Sequence, residues 1–284
     1  FWLKKGSWIT SLTEKETVFD LWNAQPSSSA GYGRLLVYVT GAGPATTGQN
    51  PFRVHLASGS NVWDMSFGGS TTTTASLKDT WNHVAFTFLS SSADNQLQTN
   101  FYLNGTLQDS QTTTTVPFGQ VTGSLIAYIG ALQTTPSGNA YDGLSMAGYG
   151  KFSGSLDELR YWKSKRTERD IQRNWWTQVR GGTNKDIANA ELGVYYKFNE
   201  GITGTSSVDR SVLDYSGRIS NGDWVGYPSS NARNTGSAIV SASAAPSEFE
   251  DPIIYSHHDE VQSLYNTLAA TGSVYDDQNN ASIK

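Results

Sequence analysis

Apolar and polar residues alternate in short runs from the N-terminus to Trp162, at 1–3, 17–22, 34–39, 52–56, 62–67, 83–88, 98–103, 124–129 and 155–162. In the run at 83–88, Val84, Phe86 and Phe88 fall on one face of an extended chain, and His83, Ala85 and Thr87 fall on the other. Such runs, separated by Gly/Ser/Thr loops, predict an antiparallel β-sandwich. The stretches 70–76, 90–93 and 111–115 are polar and low in complexity. They read as long connections or loop tips, with exposed edge strands as the alternative.

Periodicity changes after the last of these runs. Thr167 can cap a helix with Asp170 three residues on, and Ile171, Trp175 and Val179 recur at helical spacing, so this helix should pack its Trp face on the sandwich. From Gly181 the chain is turn-rich, with strand-like stretches only at 192–198 and 237–240. This predicts a sandwich over 1–180 and an irregular extension over 181–284. Within the extension, Ser256 and Asp259 resemble a capping box, Val261, Leu264, Tyr265 and Leu268 form an apolar stripe, and Gly272 can terminate a short amphipathic helix.

Composition supports the all-β reading. Only 16% of residues are charged, and 9 Trp, 14 Tyr and 11 Phe suit pleated sheets joined by polar turns. A net charge of −5 leaves no basic surface for a row of phosphates, which argues against a nucleic-acid partner. Without cysteine, neither a disulfide framework nor a thiolate metal site is available. No apolar run approaches the roughly 20 residues that span a bilayer, so membrane insertion by a helix is not expected. The opening residues, from Phe1 to Trp8, lack a signal peptide's layout and read as the interior of something longer.

Three stretches, in order, carry a resemblance. They are Trp81-Asn82-His83-Val84-Ala85-Phe86-Thr87-Phe88, then Asn100-Phe101-Tyr102-Leu103-Asn104-Gly105, then Phe152-Ser153-Gly154-Ser155-Leu156-Asp157-Glu158-Leu159-Arg160-Tyr161-Trp162. Together they resemble the laminin-G-like or pentraxin-like jelly rolls of concanavalin A type, over about residues 1–178. The family's usual first strand should precede Phe1. A second trace of the family appears at 192–201 and 212–224, which either completes the first sandwich or begins another. Residues 249–255 and the short helix after them resemble segments of large virion structural proteins of tailed bacteriophages.

Catalytic constellations are sparse. Where family 16 glucanases place a nucleophile and an acid on one strand, Ser155-Leu156-Asp157-Glu158-Leu159-Arg160 offers serine and arginine. The chain has no Gly-x-Ser-x-Gly elbow, and His55, His83, His257 and His258 lack zinc spacing. His83 reads as a strand residue facing a loop.

The resemblance implies a Ca²⁺ site, with Asp157 the first candidate and Glu158 behind it. The competing reading is that Asp157 caps a turn and Glu158 pairs with a neighbouring Arg or Lys. For sugars, aromatic platforms are sought among Trp63, Trp81, Tyr128, Tyr141 and Tyr149, although Trp63 and Trp81 suit the core better. The loop at 138–150 supplies Asn139, Tyr141, Asp142 and Tyr149 as candidate ligand contacts. The expectation is a non-enzymatic module of a phage tail or baseplate protein that contacts host glycans, other virion proteins or copies of itself. The alternatives are a carbohydrate-binding module of a secreted or cell-surface adhesin or polysaccharide-degrading enzyme, and a purely architectural assembly domain.

Overall fold

The computed structural model describes residues 1–10, 15–42, 48–91, 95–113, 121, 123–133, 150–179, 191–200, 209–218 and 220–225, together with the backbone of 274–276 and 281–283. The strands are β1 (Trp2–Lys4), β2 (Glu16–Trp22), β3 (Gly33–Val39), β4 (Phe52–Ser58), β5 (Asn61–Phe67), β6 (Trp81–Ser91), β7 (Gln96–Leu103), β8 (Thr106–Thr113), β9 (Ile126–Ile129), β10 (Ser155–Asp157) and β11 (Leu159–Trp162). Helix α1 (Glu168–Asn174) follows, then β12 (Leu192–Tyr196), β13 (Ser211–Val212), β14 (Gly222–Asp223), β15 (Val274–Asp276) and β16 (Ala281–Ile283). Two five-stranded antiparallel sheets, in the orders β10-β1-β6-β7-β8 and β5-β4-β3-β2-β9, make the sandwich.

Alternation sorts the side chains as the sequence predicts. Leu3, Val84 and Phe101 of the first sheet meet Val37, Val39, Phe52, Val54, Leu56, Trp63, Met65 and Phe67 of the second, with Phe86 and Phe88 packed against them. Each fully buried Phe contributes about 1.5–3 kcal/mol. The Phe52, Phe67, Phe86 and Phe101 rings lie 5.0 to 6.4 Å apart, edge-on or tilted. A buried ion pair, Lys5 Nζ to Glu16 Oε1 at 2.6 Å, ties the end of β1 to the start of β2. Both partners also bond the backbone of Ser153, Lys5 Nζ donating to its carbonyl and Glu16 Oε1 accepting from its N–H.

The Asn-Gly signal marks a hairpin turn between β7 and β8, where Asn104 and Gly105 both have positive φ, 48° and 78°. This turn lies against α1, since a side chain at Gly105 would meet the Trp175 indole at 2.2 Å. The stretch at 111–115 begins inside β8, so its edge-strand alternative holds as far as Thr113. Helix α1 is shorter than predicted. Thr167 and Asp170 form the capping box, but the chain leaves the helix at Trp175, and Val179 lies beyond it. The Trp face packs as foreseen, with Trp2 and Trp175 buried together beside Trp81 and Trp176 on the outer side of the first sheet.

His83 differs from expectation. It is the strand residue expected, but its side chain faces buried indoles and not a loop, with its ring 5.7 Å from Trp2 and 6.1 Å from Trp175. The strand reaches the Trp-lined layer under α1 at this position, and the outer face there is covered.

The pairing of β12 with β11 carries the chain across the boundary expected near residue 180. Arg218 Nε donates to Leu192 O, and Tyr215 N donates to Tyr195 O, so residues 211–218 hang on β12. The predicted strand at 237–240 and helix from Ser256 lie outside the described residues.

Candidate functional site

The outer face of the second sheet holds rows of directly opposed residues that alternation removes from the core. One row runs Tyr128, Asp20, Leu36, His55, Asp64 across β9, β2, β3, β4 and β5. The next runs Ile126, Trp22, Arg34, Ala57, Val62. Asp20 and Arg34, both buried, form a two-pronged pair, with Nε to Oδ1 and Nη2 to Oδ2 each at 2.8 Å. The guanidinium lies 5.9 Å from the Trp22 ring. Gln133 joins them by donating its N–H to Asp20 Oδ2 and its side-chain amide to the carbonyls of Asp20 and Ile126.

Beside this fixed centre stand groups that water reaches, Tyr128 at 44% exposure and Ile126 at 45%. Further along the face, His55 Nδ1 lies 3.0 Å from Asp64 Oδ1, and the Asp64 side chain is 51% exposed. Burial lowers the His55 pKa, against the opposing pull of Asp64. Lys15 sits 5.0 Å over the Tyr38 ring, and its pKa is pushed down to about 8, first by burial and then by Arg53, with Asp64 acting the other way. Aromatic rings beside fixed hydrogen-bonding groups are what a saccharide requires, with ring stacking for its C–H face and planar polar groups for its hydroxyls.

Of the sequence candidates, Tyr128 lies on this face. Trp63 is interior, and Trp81 packs on the Trp2 and Trp175 cluster. Asn139, Tyr141, Asp142 and Tyr149 lie outside the described residues. The described residues that flank their segment both bond β2, Gln133 at Asp20 and Gly150 through its carbonyl to Thr17 N–H. Sequence reading missed Asp20, Trp22, Arg34, His55 and Asp64. Pairing the opposite charges of Asp20 and Arg34 across the β2–β3 hairpin would have found the centre.

Asp157 and Glu158 occupy another place, the joint between β10 and β11. Glu158 has φ +52°, and its N–H donates to Asp157 Oδ1 at 2.8 Å. Its buried carboxylate accepts from Arg160 Nη2, from Gln178 Nε2 and from the Tyr195 hydroxyl. Donors aimed at both oxygens make this an anion's environment, so Glu158 as placed does not fit a Ca²⁺ ligand. The described residues contain no group of three acidic or histidine side chains able to hold a metal.

Residues 9–172 match the model of the concanavalin A-like lectin/glucanases superfamily. The chain belongs to that superfamily. No curated protein sequence matches this concanavalin A-like chain. Among solved structures, it is 20% identical, at a TM-score of 0.41, to a proposed carbohydrate binding protein from Bacteroides ovatus, covering 78% of this chain and 55% of that one. It is 12% identical, at a TM-score of 0.33, to a heptameric SAP-like pentraxin from Limulus polyphemus, covering 61% of this chain and 65% of that one. The chain thus spans less than two thirds of each of these structures.

Proposed function

We propose that this concanavalin A-like chain is a carbohydrate-binding module that holds its ligand without transforming it, on the outer face of β9, β2 and β3. The observation that carries the reading is the exposed Tyr128 ring beside the locked Asp20–Arg34 pair, with Trp22 under the guanidinium. A polar centre already fixed as an ion pair beside the ring costs little entropy to organise on binding. Membership of a lectin-containing superfamily agrees with this use.

The test is a glycan array on the full chain, run with Ca²⁺ and with EDTA, then repeated with Tyr128→Ala. One sugar class should bind, and the variant should lose at least tenfold in affinity while melting normally. An array without hits, or undiminished binding by the variant, would overturn the reading.

We further propose that the module is carried on a phage virion, at the tail or baseplate. The resemblance of residues 249–255 to virion proteins supports this setting. Detection of the chain by mass spectrometry in purified particles tests it, and its absence from them would sink it.

A further inference from the structure

The outer face of the first sheet carries polar side chains where α1 and its approach lie over β7 and β8. Leu97 and Phe101 of β7 enter the core, so alternation turns Gln98, Asn100 and Tyr102 outward, opposite Thr112, Ser110 and Leu107 of β8. A cavity of about 510 Å³ lies over them, bounded on its other side by residues 165–168. That is the size of a small-ligand site.

The floor of the cavity holds hydrogen-bond donors that lack acceptors. Tyr102 is buried, and its hydroxyl makes one hydrogen bond among the described residues, as acceptor from Asn100 Nδ2 at 3.4 Å, so its own proton has no recipient there. Asn100 Oδ1 accepts from Ser110 Oγ at 2.7 Å, which fixes the amide with its nitrogen towards Tyr102 and leaves that nitrogen a second N–H to donate. Buried donors without protein acceptors are costly and call for an acceptor from outside the chain.

The rim adds positive charge. Lys165 Nζ lies 3.4 Å from Gln98 Oε1 and has no carboxylate partner among the described residues, and the Gln98 amide nitrogen is a further donor. Arg166 is engaged by Asp170 and Glu191. Glu168, the one carboxylate among the described lining residues, is exposed and accepts from Gln172. Four side-chain donors, one of them a cation, suit a ligand that is rich in acceptors and anionic.

What carries the anion follows from the backbone. The N–H and C=O groups of β7 are committed to β6 and β8, so no main-chain row is available in the cavity to read a peptide. Hydroxyl and amide side chains around Leu107 are instead the set that meets the hydroxyls and C–H edge of a sugar.

We propose that this cavity binds a uronate residue of an acidic polysaccharide. Lys165 and Gln98 meet its carboxylate, and the Tyr102 hydroxyl and the Asn100 amide donate to its ring and hydroxyl oxygens. The site is separate from the face of β9, β2 and β3, and, being made of donors, it uses no metal ion.

The probes are trigalacturonate and trimannuronate, each beside its methyl ester, titrated into the full chain in EDTA. One of the acids should bind and shift the amide resonances of β7 and β8 while those of β4 stay still. Its ester, which keeps the skeleton and loses the charge, should bind about fivefold more weakly. Tyr102→Phe, which keeps the buried ring, should weaken binding about fivefold with an unchanged melting temperature. Lys165→Gln, a surface change, should bring acid and ester to the same affinity. Binding by neither acid, equal affinity of the parent chain for acid and ester, or affinity untouched in Tyr102→Phe would overturn the proposal. A triglutamate peptide that binds as tightly as the acids would assign the cavity to an acidic peptide and overturn the saccharide.

Discussion

The Tyr195 hydroxyl donates to the carboxylate of Glu158, 37 positions earlier, and so fastens β12 to the joint between β10 and β11. Both residues are buried, and Arg160 Nη2 completes the cluster 3.2 Å from Glu158 Oε2. Burial, reinforced by Glu158 and opposed by Arg160, pushes the Tyr195 hydroxyl pKa well up, so it stays a donor throughout the working range of pH. Tyr195→Phe should cost about 1–3 kcal/mol in urea unfolding, the loss of one bond to a buried charge. Glu158→Ala should cost about 3–5 kcal/mol because it leaves Arg160 buried without its anion. Equal losses in the two variants would contradict this ranking.

Asp157→Asn should lower the melting temperature by the same amount in Ca²⁺ and in EDTA, because the acceptor it perturbs serves the Glu158 N–H. A loss confined to Ca²⁺ buffer would show that the joint takes a metal after all.

His83 is held neutral, its pKa well below 6.5 through burial, with the positive charge of Arg160 adding to the effect. The unfolded chain takes up this proton near pH 6.5 and the folded chain does not, so stability is fully present above pH 6.5 and is lost as pH falls below it. The slope per such group is at most about 1.4 kcal/mol per pH unit. Unfolding in urea between pH 7 and 5 should be less pH-dependent in His83→Gln than in the parent chain, and an identical slope would remove His83 from the account.

Lys15, with its pKa near 8, should acetylate ahead of the exposed Lys78 at pH 7.5, as read by peptide mass mapping. Asp64→Asn should enhance the difference, since that carboxylate is the group that raises the Lys15 pKa. A bound saccharide that crosses the face as far as β5 should suppress it.

Gly105→Ala should destabilise strongly, since the new methyl meets the rigid Trp175 indole at 2.2 Å in a backbone of positive φ. Overpacking alone costs about 1–3 kcal/mol. A melting temperature within a degree of the parent would mean that α1 can move aside.

The sandwich was legible because its strands obey alternation; Val84, Phe86 and Phe88 face inward as the pattern demands. The helix was legible at its start, where Thr167 and Asp170 act locally, and not at its end, because Val179 fits the period while the Asn174 carbonyl is taken up by Thr177 and by the distant Arg160. The outer face of the second sheet was largely hidden. Asp20 and Arg34 stand 14 positions apart and resemble ordinary surface charges, and only the β2–β3 register sets them diagonally across the hairpin as a pair. His83 misled because an imidazole in a strand reads as polar, whereas the layer of indoles above it is assembled from β1 and the end of α1.

The Asn104-Gly105 turn also governs how the protein ages. An asparagine before glycine loses ammonia when the glycine amide nitrogen attacks its side-chain carbonyl, and a turn that leaves the side chain free to swing invites this. Here Asn104 Oδ1 accepts the His83 N–H at 2.8 Å and its amide nitrogen donates to Asn82 Oδ1 at 3.2 Å, which holds the carbonyl carbon away from that attack. Folding therefore acts as the preservative of this bond, and each excursion to the unfolded chain exposes it to a one-way chemical clock.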